Sequence, residues 1–540
     1  MQEKPAKQAK PRISLGNTAA LLIATALIGQ GLGFLRTRLV NANFNNLGPH
    51  STDAYFAAFN IPDFFFYTLA AGALGVAFMP VLAEHLHRGD RKGIWELSSS
   101  LLNLLSIIMA AVSVIIFVFA EPLIHHIVAP HLGPSQLHDA TVIMRFLALN
   151  PLLFTISGIL NSVQQTFGKF FFFAIAPLFY NLSIIVSTIV FSTRAPHGGG
   201  PGHLGLVGLG IGALIGGILQ LLVVVIGLKG SKFRWYPKIT FKNTDFRLIL
   251  RQLPARSIDQ GIDQVESIVE TNFATRMGTG SVTAYNNAYT LQTAPIMLIG
   301  TAISTAAFPN LANRLAQGRP DLFNRDFLRV LRAMIWITLP VVVVCYFCRG
   351  YLARLIFSKG SADISLIFGY LTIAIFFRTI YSIISRWFYA QKDTKTPLFV
   401  SIFTIALNIV LASILARPSS YGVAGLALSQ SIVAMVEVIV LSIIMLVRER
   451  RLFSAVFWSG CFRIVSVTGF SVVVGFIMVS LFPLQAGDRG FVTLCTKLVI
   501  IAGSVLLTHV LISSLFGLEE VQPLFARLKK LIFKPIKIQY

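Results

Sequence analysis

Long uninterrupted apolar runs constrain the fold of this chain more than any other feature. The stretch LLNLLSIIMAAVSVIIFVFA, residues 101–120, has no charged side chain and is long enough to cross the hydrocarbon core of a bilayer as a helix. Only helices and closed β-barrels satisfy their backbone hydrogen bonds in lipid, and barrel strands alternate polar and apolar residues over about ten positions. With 55% hydrophobic residues, 12% charged residues and a mean hydropathy of +0.73, the chain is predicted to be an all-α polytopic membrane protein.

The hydropathy pattern predicts about fourteen transmembrane helices, each placed to within about four residues. The predicted spans are 15–40, 52–84, 94–120, 138–165, 170–193, 204–228, 248–276, 281–313, 328–348, 363–390, 396–416, 421–447, 461–482 and 490–516. The first span ends at FLRTRL without a small-residue cleavage site, so it is predicted to be a retained helix and not a signal peptide.

Basic residues follow the positive-inside rule. The net charge is +23, and most of the 45 Lys and Arg residues fall in every second loop when the start MQEKPAKQAKPR is taken as cytoplasmic. An even number of spans then leaves both termini in the cytoplasm. Because the cations are spread over many loops without interleaved aromatic residues, no nucleic-acid partner is predicted.

Cysteines and histidines form no pattern that points to disulfides or to a metal. Of four cysteines, Cys345 and Cys348 make a CxxC within the apolar stretch VVVVCYFC, where packing residues are expected. The histidines of EPLIHHIVAPHLGPSQLHD lack a spacing that forces ligands together, so a solvated or interfacial loop is expected. No metal, cofactor, catalytic constellation or phosphate-binding glycine loop is predicted.

Two pairs of similar segments indicate an internal repeat. AYFAAFNIPDFFFYTLAAGALGVAFMPVLAEHL, from Ala54, resembles AYNNAYTLQTAPIMLIGTAISTAAFPNLANRL, from Ala284, 230 residues later. A weaker echo pairs QQTFGKFFFFAIAPLFYNLSII with AQKDTKTPLFVSIFTIALNIVL and aligns Asn181 with Asn408. Because this period spans six helices, an even number, both copies insert in the same orientation. The repeat therefore predicts two parallel six-helix lobes that hold a substrate between them, which is a transporter plan.

The repeat also predicts the organisation of the chain. The predicted segments are a basic cytoplasmic N-terminus (1–14), an N-lobe of helices 1–6 (15–228), a C-lobe of helices 7–12 (229–447) with a cytoplasmic linker (229–247), helices 13 and 14 (448–516) and a basic cytoplasmic tail (517–540). Helices 13 and 14 lie outside the repeat and are predicted to be an appendage.

The seventh span carries an unusual number of charges for a helix in lipid. In PARSIDQGIDQVESIVETNFATRMG five of the six charged residues occupy an arc of about 80°, at about 100° per residue. They are Arg256, Asp259, Asp263, Glu266 and Glu270. Each charge near the centre of a membrane-spanning helix costs about 2.5–3.5 kcal/mol of insertion free energy. The four acids, which we name the acidic stripe, are therefore predicted to line a polar cavity. The alternative is that the acids only hold neighbouring helices through ion pairs.

Arginines in other spans are candidate partners for these acids or for an anionic substrate. Arg36 and Arg38 lie in the outer half of the first span, and Arg378 and Arg386 lie in the tenth. The alternative for one or both arginines of the first span is that the side chain extends to the outer membrane interface. Asp53, at the outer start of the second span, is alternatively the N-terminal charge of its own helix.

Five segments are distinctive when taken together: GLGFLRTRL, STDAYFAAFNIPDFF, AAGALGVAFMPVLAEH, GSVTAYNNAYTLQTAP and FYAQKDTKTP. Together they resemble the MviN/MurJ family of lipid II flippases, within the multidrug/oligosaccharidyl-lipid/polysaccharide exporter superfamily. The likeness runs through nearly the whole chain. It implies six-plus-six lobes around a cavity for the lipid II headgroup, with a groove for the polyprenyl tail at helices 13 and 14.

The match is incomplete where the family binds its anionic substrate. Arg36 and Asp53 match the family's Arg of helix 1 and Asp of helix 2. Seven positions near or at the family's other charged residues differ in this chain: Gln30, Thr37, Phe66, Tyr67, Ala71, Tyr289 and Thr290. The headgroup site is predicted to comprise Arg36, Asp53, Arg256 and Arg378, with the arginines as a replacement phosphate clamp. The acidic stripe then balances charge or binds a coupling cation.

The predicted function is a flippase, not an enzyme, that moves an undecaprenyl-pyrophosphate-linked peptidoglycan precursor, lipid II, from the cytoplasmic to the outer leaflet by alternating access. The expected partners are this precursor, membrane lipids and the cell-wall synthesis or division machinery, and the membrane potential or a coupling ion is the expected energy source. The alternatives are a flippase for another lipid-linked glycan, a cation-coupled multidrug exporter, and a non-transporting envelope scaffold.

Overall fold

The computed structural model describes the backbone of residues 15–71, 78–192, 201–229, 231, 233–357, 361–488 and 490–522. Within these ranges, the side chains of 15–20, 23, 70–71, 201–203, 252, 254–260 and 262–263 lie outside the description. The described residues are predominantly helical and contain no strand, which confirms the all-α prediction.

Eleven helices among the described residues are long and apolar enough to cross a membrane. They coincide with the third to sixth and the eighth to fourteenth predicted spans. The predicted total of fourteen is not confirmed. The second predicted span runs into residues 72–77, outside the described part of the chain, and the seventh carries the acidic stripe, so it is not uniformly apolar.

The chain divides into two compact units, of which the first is Met1–Ile268. Its helices are α1 Leu15–Asn43, α2 Asp53–Phe65, α3 Met79–His87, α4 Arg91–Val118, α5 Ala120–Leu123, α6 Pro134–Leu147, α7 Asn150–Thr166, α8 Phe171–Val190, α9 Gly208–Gly227 and most of α10, Thr244–Thr275. The main core of this unit joins α4, α6 and α9 through buried residues such as Ile116, Met144 and Leu209.

The second unit is Val269–Tyr540. Its further helices are α11 Ser281–Pro295, α12 Ala302–Ala316, α13 Pro320–Phe347, α14 Arg349–Ile356, α15 Ser361–Ala390, α16 Lys395–Leu415, α17 Ala424–Arg448, α18 Ala455–Leu481 and α19 Phe491–Leu515. The core is built around α13, α15 and α17, and the last two helices pack on each other and on α13. The division between the units falls inside α10, and the predicted lobe boundary at 228–229 stays a prediction.

Helices α8 and α9 approach each other closely because one face of α9 is glycine. Side chains added at Gly208 or Gly212 would lie 2.3 Å from atoms of Phe191 or Ser187, so only glycine fits there. The short distance lets the hydroxyls of Ser183 and Ser187 donate 2.7 Å hydrogen bonds to the carbonyls of Gly212 and Gly208. Small residues and interhelical hydrogen bonds hold helices together in lipid, where hydrophobic burial offers little.

The internal repeat has a counterpart in local backbone geometry. A π-helical segment, Phe66–Ala71, continues α2 after Pro62, and a second one, Ile296–Thr301, continues α11 after Pro295. The two π-helical segments stand 230 residues apart, which is the offset between the similar sequences. Proline removes a backbone donor and disturbs the helical ladder, and a π-bulge is one way for the ladder to resume.

The segment FYAQKDTKTP folds as a tight connection between α15 and α16, organised by Asp393. Its carboxylate accepts hydrogen bonds from the backbone N–H groups of Lys395 (3.1 Å) and Thr396 (3.0 Å), and from the Thr396 hydroxyl (2.7 Å). The guanidinium of Arg448, at the end of α17, lies 2.7 Å from the same carboxylate. Partial burial raises the pKa of Asp393, but the hydrogen bonds from Thr396 and Arg448 outweigh it and lower the pKa to about 2.

Replacing this carboxylate tests its contribution to stability. Because the folded pKa lies below the unfolded value of about 3.9, the charged form stabilises the fold above that value, and the contribution is lost as the pH falls towards 2. We expect Asp393→Asn to cost about 1 kcal/mol at pH 7 and nothing near pH 2, measured as melting temperature in detergent. Asp321→Asn, at an exposed carboxylate in the first turn of α13, is the control. Parallel pH profiles for wild type and Asp393→Asn would contradict the assignment.

Candidate functional site

Arg36 is held in place by a hydrogen bond between two helices of the first unit. It lies on α1, is half-buried, and its Nη1 donates a hydrogen bond to Oδ1 of Asn181 on α8 (3.1 Å). Helices α1 and α8 pack side by side, so this bond fixes the rotation of one helix against the other. A guanidinium carries five N–H donors in a planar fork. One bond to Asn181 therefore orients Arg36 and still allows it to bind a phosphate.

The neighbourhood of Arg36 combines a carboxylate with aromatic side chains. Asp63 on α2 is partly buried and lies within electrostatic range of Arg36, as do Tyr55 and Tyr180. The ring of Tyr180 stands edge-on to Phe154 at 5.3 Å. This environment in the first unit combines one guanidinium, one carboxyl group and polar aromatic side chains.

Arg378 is the predicted site arginine of the second unit. It lies on α15, and its Nη1 is 4.0 Å from Oε2 of Glu437 on α17. The other carboxylate oxygen of Glu437 accepts a 2.8 Å hydrogen bond from the Ser401 hydroxyl on α16, and Tyr381 lies 3.3 Å from the same hydroxyl. The side chain of Glu437 is 4% exposed and that of Arg378 is 23% exposed. Arg378 therefore takes part in a network that joins α15, α16 and α17.

Only part of the acidic stripe is described. Glu266 and Glu270 are both buried, with 8% and 6% of their surface exposed. The hydroxyl of Ser267, between them in sequence, donates a 3.0 Å hydrogen bond to Oδ1 of Asn60 on α2, which orients this part of α10 within the first unit. Three other predicted residues lie on α10 with side chains outside the described residues: Arg256, Asp259 and Asp263.

Asp53 and Arg386 have local surroundings that favour structural roles. Asp53 is the first residue of α2 and is 1% exposed, so its charge lies at the positive end of the helix dipole. The guanidinium of Arg386 lies over the rings of Phe308, at 5.4 Å, and Tyr389, at 5.9 Å, as a cation–π pair does.

Two carboxylates that sequence reasoning overlooked belong to these networks. Asp63 and Glu437 were not singled out as site residues, although each is a lone acid within an apolar helical stretch, FNIPDFFF or VAMVEVIV. An isolated ionisable residue in a membrane span is a signal that finds both. Among the residues whose structure is described, no cluster of three or more His, Cys, Asp or Glu side chains is placed to hold a metal ion.

The positions that differ from the family pattern are partly occupied by aromatic packing. Phe66 and Tyr67 begin the first π-helical segment, and the ring of Phe66 stands edge-on to Phe154 at 5.5 Å. Tyr289, on α11, stacks with Tyr285 at a centroid distance of 6.5 Å. Apolar and aromatic contacts thus fill places for which the resemblance implied charge.

Comparison with known sequences points to one family. A family model for the lipid II flippase MurJ matches residues 48–510. The "Probable lipid II flippase MurJ" of Buchnera aphidicola is 27% identical over 425 residues, covering 77% of this chain and 81% of that one. The "Lipid II flippase MurJ" of Burkholderia cenocepacia is 24% identical over 392 residues, covering 70% and 73%.

Comparison with solved structures shows the same fold. A lipid II flippase MurJ in an inward closed conformation matches with a TM-score of 0.73 at 22% identity, covering 92% of this chain and 98% of that one. An inward-facing multidrug resistance MATE family transporter of the MOP superfamily matches with a TM-score of 0.66 at 17% identity, covering 81% and 99%.

The helical fold and the family match define a multi-pass bacterial membrane protein of a transporter class. The family model spans most of the sequence, and the chain belongs to the MurJ family of lipid II flippases.

A double-mutant cycle measures the interaction of Arg378 with Glu437. We expect the losses of stability from Arg378→Gln and Glu437→Gln to be non-additive, with a coupling energy between about 0.5 and 3 kcal/mol, because removing one charge leaves the other poorly compensated inside the protein. Ser401→Ala removes one hydrogen bond but keeps both charges, so it is expected to cost only about 1 kcal/mol. Additive losses would mean that the pair does not stabilise the second unit.

Proposed function

We propose that this protein is a flippase for lipid II, the undecaprenyl-pyrophosphate-linked peptidoglycan precursor, and moves it from the cytoplasmic to the outer leaflet of the inner membrane by alternating access. Both termini lie in the cytoplasm. Transport is of the secondary type, driven by the membrane potential or by a coupling ion. A membrane potential supplies about 2.3 kcal/mol per charge per 100 mV, enough to bias a two-state transporter.

The observation that carries this proposal is the way the protein holds arginines inside membrane-spanning helices. Arg36 is oriented by Asn181, and Arg378 lies against Glu437, so each cation has a defined position. A guanidinium fork donates two parallel hydrogen bonds to a phosphate oxygen pair, which makes Arg the residue suited to a pyrophosphate. In this proposal Arg36, Arg256 and Arg378 bind the pyrophosphate and Asp53 belongs to the headgroup site. Asp63 and Glu437 neutralise the arginines when no substrate is bound.

A second candidate is a cation-coupled exporter of another substrate. It is favoured by the buried carboxylates Glu266 and Glu270 on α10 and by the structural likeness to a MATE family transporter. Under this alternative the acidic stripe, which includes Asp259 and Asp263, binds Na⁺ or H⁺. The two candidates differ in the phenotype of loss: accumulation of the wall precursor marks the flippase, whereas loss of drug efflux with a normal wall marks the exporter.

Arginine variants test the phosphate clamp in a bacterial strain depleted of its own lipid II flippase. Wild-type protein is expected to restore growth and to clear accumulated precursor. We expect Arg36→Ala and Arg378→Ala each to lower flipping more than ten-fold, since truncating one partner of a buried charge pair costs about 2–5 kcal/mol of binding. Lysine at either position keeps the charge without the fork and is expected to restore activity only in part.

Arg417→Ala is the matched control, because Arg417 is exposed beyond the end of α16 and its side chain donates a hydrogen bond to the backbone carbonyl of Ser413 (2.7 Å), not to a charged group. Activity retained by Arg36→Ala, Arg256→Ala and Arg378→Ala alike would exclude the clamp. Failure of the wild-type chain to clear the precursor would instead exclude lipid II as the substrate.

Neutralising the acidic stripe separates a transporter from a passive envelope scaffold. Asp263→Asn with Glu266→Gln keeps side-chain volume but removes two charges, so a scaffold tolerates the change whereas a transporter that uses these charges loses function. We expect loss of complementation in the depleted strain at wild-type protein levels. Glu96→Gln, which removes the surface partner of Lys92 on α4, is expected to be silent. Full complementation by the double variant would favour the scaffold.

A further inference from the structure

The segment that connects α9 to α10 is fastened along α4. Residues 233–242, which we name the strap, have no helical or strand structure. The strap's backbone and side chains are bound by three polar residues on the third and fourth turns of α4: Ser99, Ser100 and Asn103. Apolar side chains of the strap face the core of the first unit, and Phe233 stands edge-on to Trp95 at 5.3 Å.

The strap's hydrogen bonds define its level along α4. The backbone N–H of Tyr236 donates to the Ser99 hydroxyl (3.0 Å), and its carbonyl accepts from the amide of Asn103 (2.8 Å). The Trp235 indole N–H donates to Oδ1 of Asn103 (2.8 Å). These residues of α4 lie where its sequence changes from RKGIWELSSS to the apolar LLNLLSIIMAAVSVIIFV.

The lipid-facing surface of α4 begins one turn further along. Ile107 is 62% exposed, and exposed apolar residues continue from it to the end of the helix. At 1.5 Å per residue, Asn103 lies about 6 Å along the axis from Ile107. The Trp235 ring is therefore held about one helical turn from the start of the exposed apolar surface of α4. In membranes, tryptophan favours the boundary between headgroups and acyl chains.

The outward surface of the strap combines aromatic rings with cations. Trp235 is 56% exposed and Phe241 is 53% exposed. The exposed cations of the strap and the first turn of α10 are Arg234, Lys238, Lys242 and Arg247. Asp245 is the acid of this stretch, and its carboxylate lies 2.9 Å from Nε2 of His85 on α3. The surface thus has a strong excess of positive charge.

We propose that the strap is a docking site for the headgroups of anionic phospholipids. Its depth beside α4 places the aromatic rings among lipid, and its cations lie where phosphate groups are found. Basic residues near a membrane surface attract acidic lipids by roughly 1 kcal/mol each. The positive charge and the two exposed rings together fit a lipid surface. A free inorganic phosphate would interact with the cations but would make no apolar contact with the rings. This role is independent of the transported substrate.

Tryptophan quenching in nanodiscs tests the proposal on the full-length protein. Nanodiscs of phosphatidylcholine are doped at equal mole fraction with brominated phosphatidylcholine or brominated phosphatidylglycerol, and the signal of Trp235 is taken as the difference between wild type and Trp235→Phe. We expect the phosphatidylglycerol probe to quench Trp235 several-fold more. With Lys238→Gln and Lys242→Gln together the preference is expected to fall to nearly equal quenching by the two probes, because each cation contributes roughly 1 kcal/mol, or up to about five-fold.

The control variant removes the same charge from another exposed site. Arg325 and Arg329 are exposed near the start of α13, and replacing both with Gln is expected to leave the preference at Trp235 unchanged. Equal quenching by the two brominated lipids would overturn the claim of anionic selectivity. Quenching of Trp235 by aqueous acrylamide but by neither lipid would overturn the membrane location. It would instead indicate that the strap faces water and binds a soluble protein.

Discussion

The cost of charge in hydrocarbon governs the arrangement of helices in each unit. An arginine on a membrane-spanning helix is tolerated only where polar groups or an opposite charge compensate it. Arg36 meets the amide of Asn181 and lies within range of Asp63, and Arg378 meets a carboxylate, Glu437, that Ser401 also bonds. These contacts join helices that are far apart in sequence. The interactions that make the charges tolerable therefore also fix the rotation of the helices and the positions at which the cations stand.

Close backbone approach is the second device that holds the helices together in lipid. On α9, Gly208 and Gly212 face Phe191, just beyond the end of α8, and Ser187 of α8 at distances that exclude a side chain, and serine hydroxyls of α8 donate hydrogen bonds to the glycine carbonyls. Dispersion contacts and interhelical hydrogen bonds take the place of hydrophobic burial. The π-helical segments after Pro62 and Pro295 add a matched irregularity to both units, and the first of them carries two positions where this chain departs from its family.

The candidate site shows where sequence reasoning succeeds and where it fails. The span pattern and the family motifs identified Arg36 and Arg378 as intramembrane cations, because charge in an apolar run is visible in one dimension. Their partners were not visible: Asp63 sits on a different helix from Arg36, and Glu437 follows Arg378 by 59 residues. The acids of the stripe cluster within one span. Asp63, in contrast, shares its predicted span only with Asp53 and Glu84 near the two ends, and Glu437 is the single acid of its span. Whether an arginine binds substrate or a carboxylate depends on helix rotation, which packing sets.

The sequence alone determined the class of structure, because the length and polarity of each apolar run decide whether a segment crosses a bilayer, and these properties are local. The sequence also contains the internal repeat, and the two π-helical segments stand at the same offset. The family follows from the sequence as well. Only the tertiary structure decided which side chains meet. The strap illustrates the difference. Its aromatic and basic composition can be read from the sequence, but its position along α4 is set by hydrogen bonds to Ser99 and Asn103, more than 130 residues earlier in the chain. Contacts between distant segments depend on packing geometry, and no local pattern encodes them.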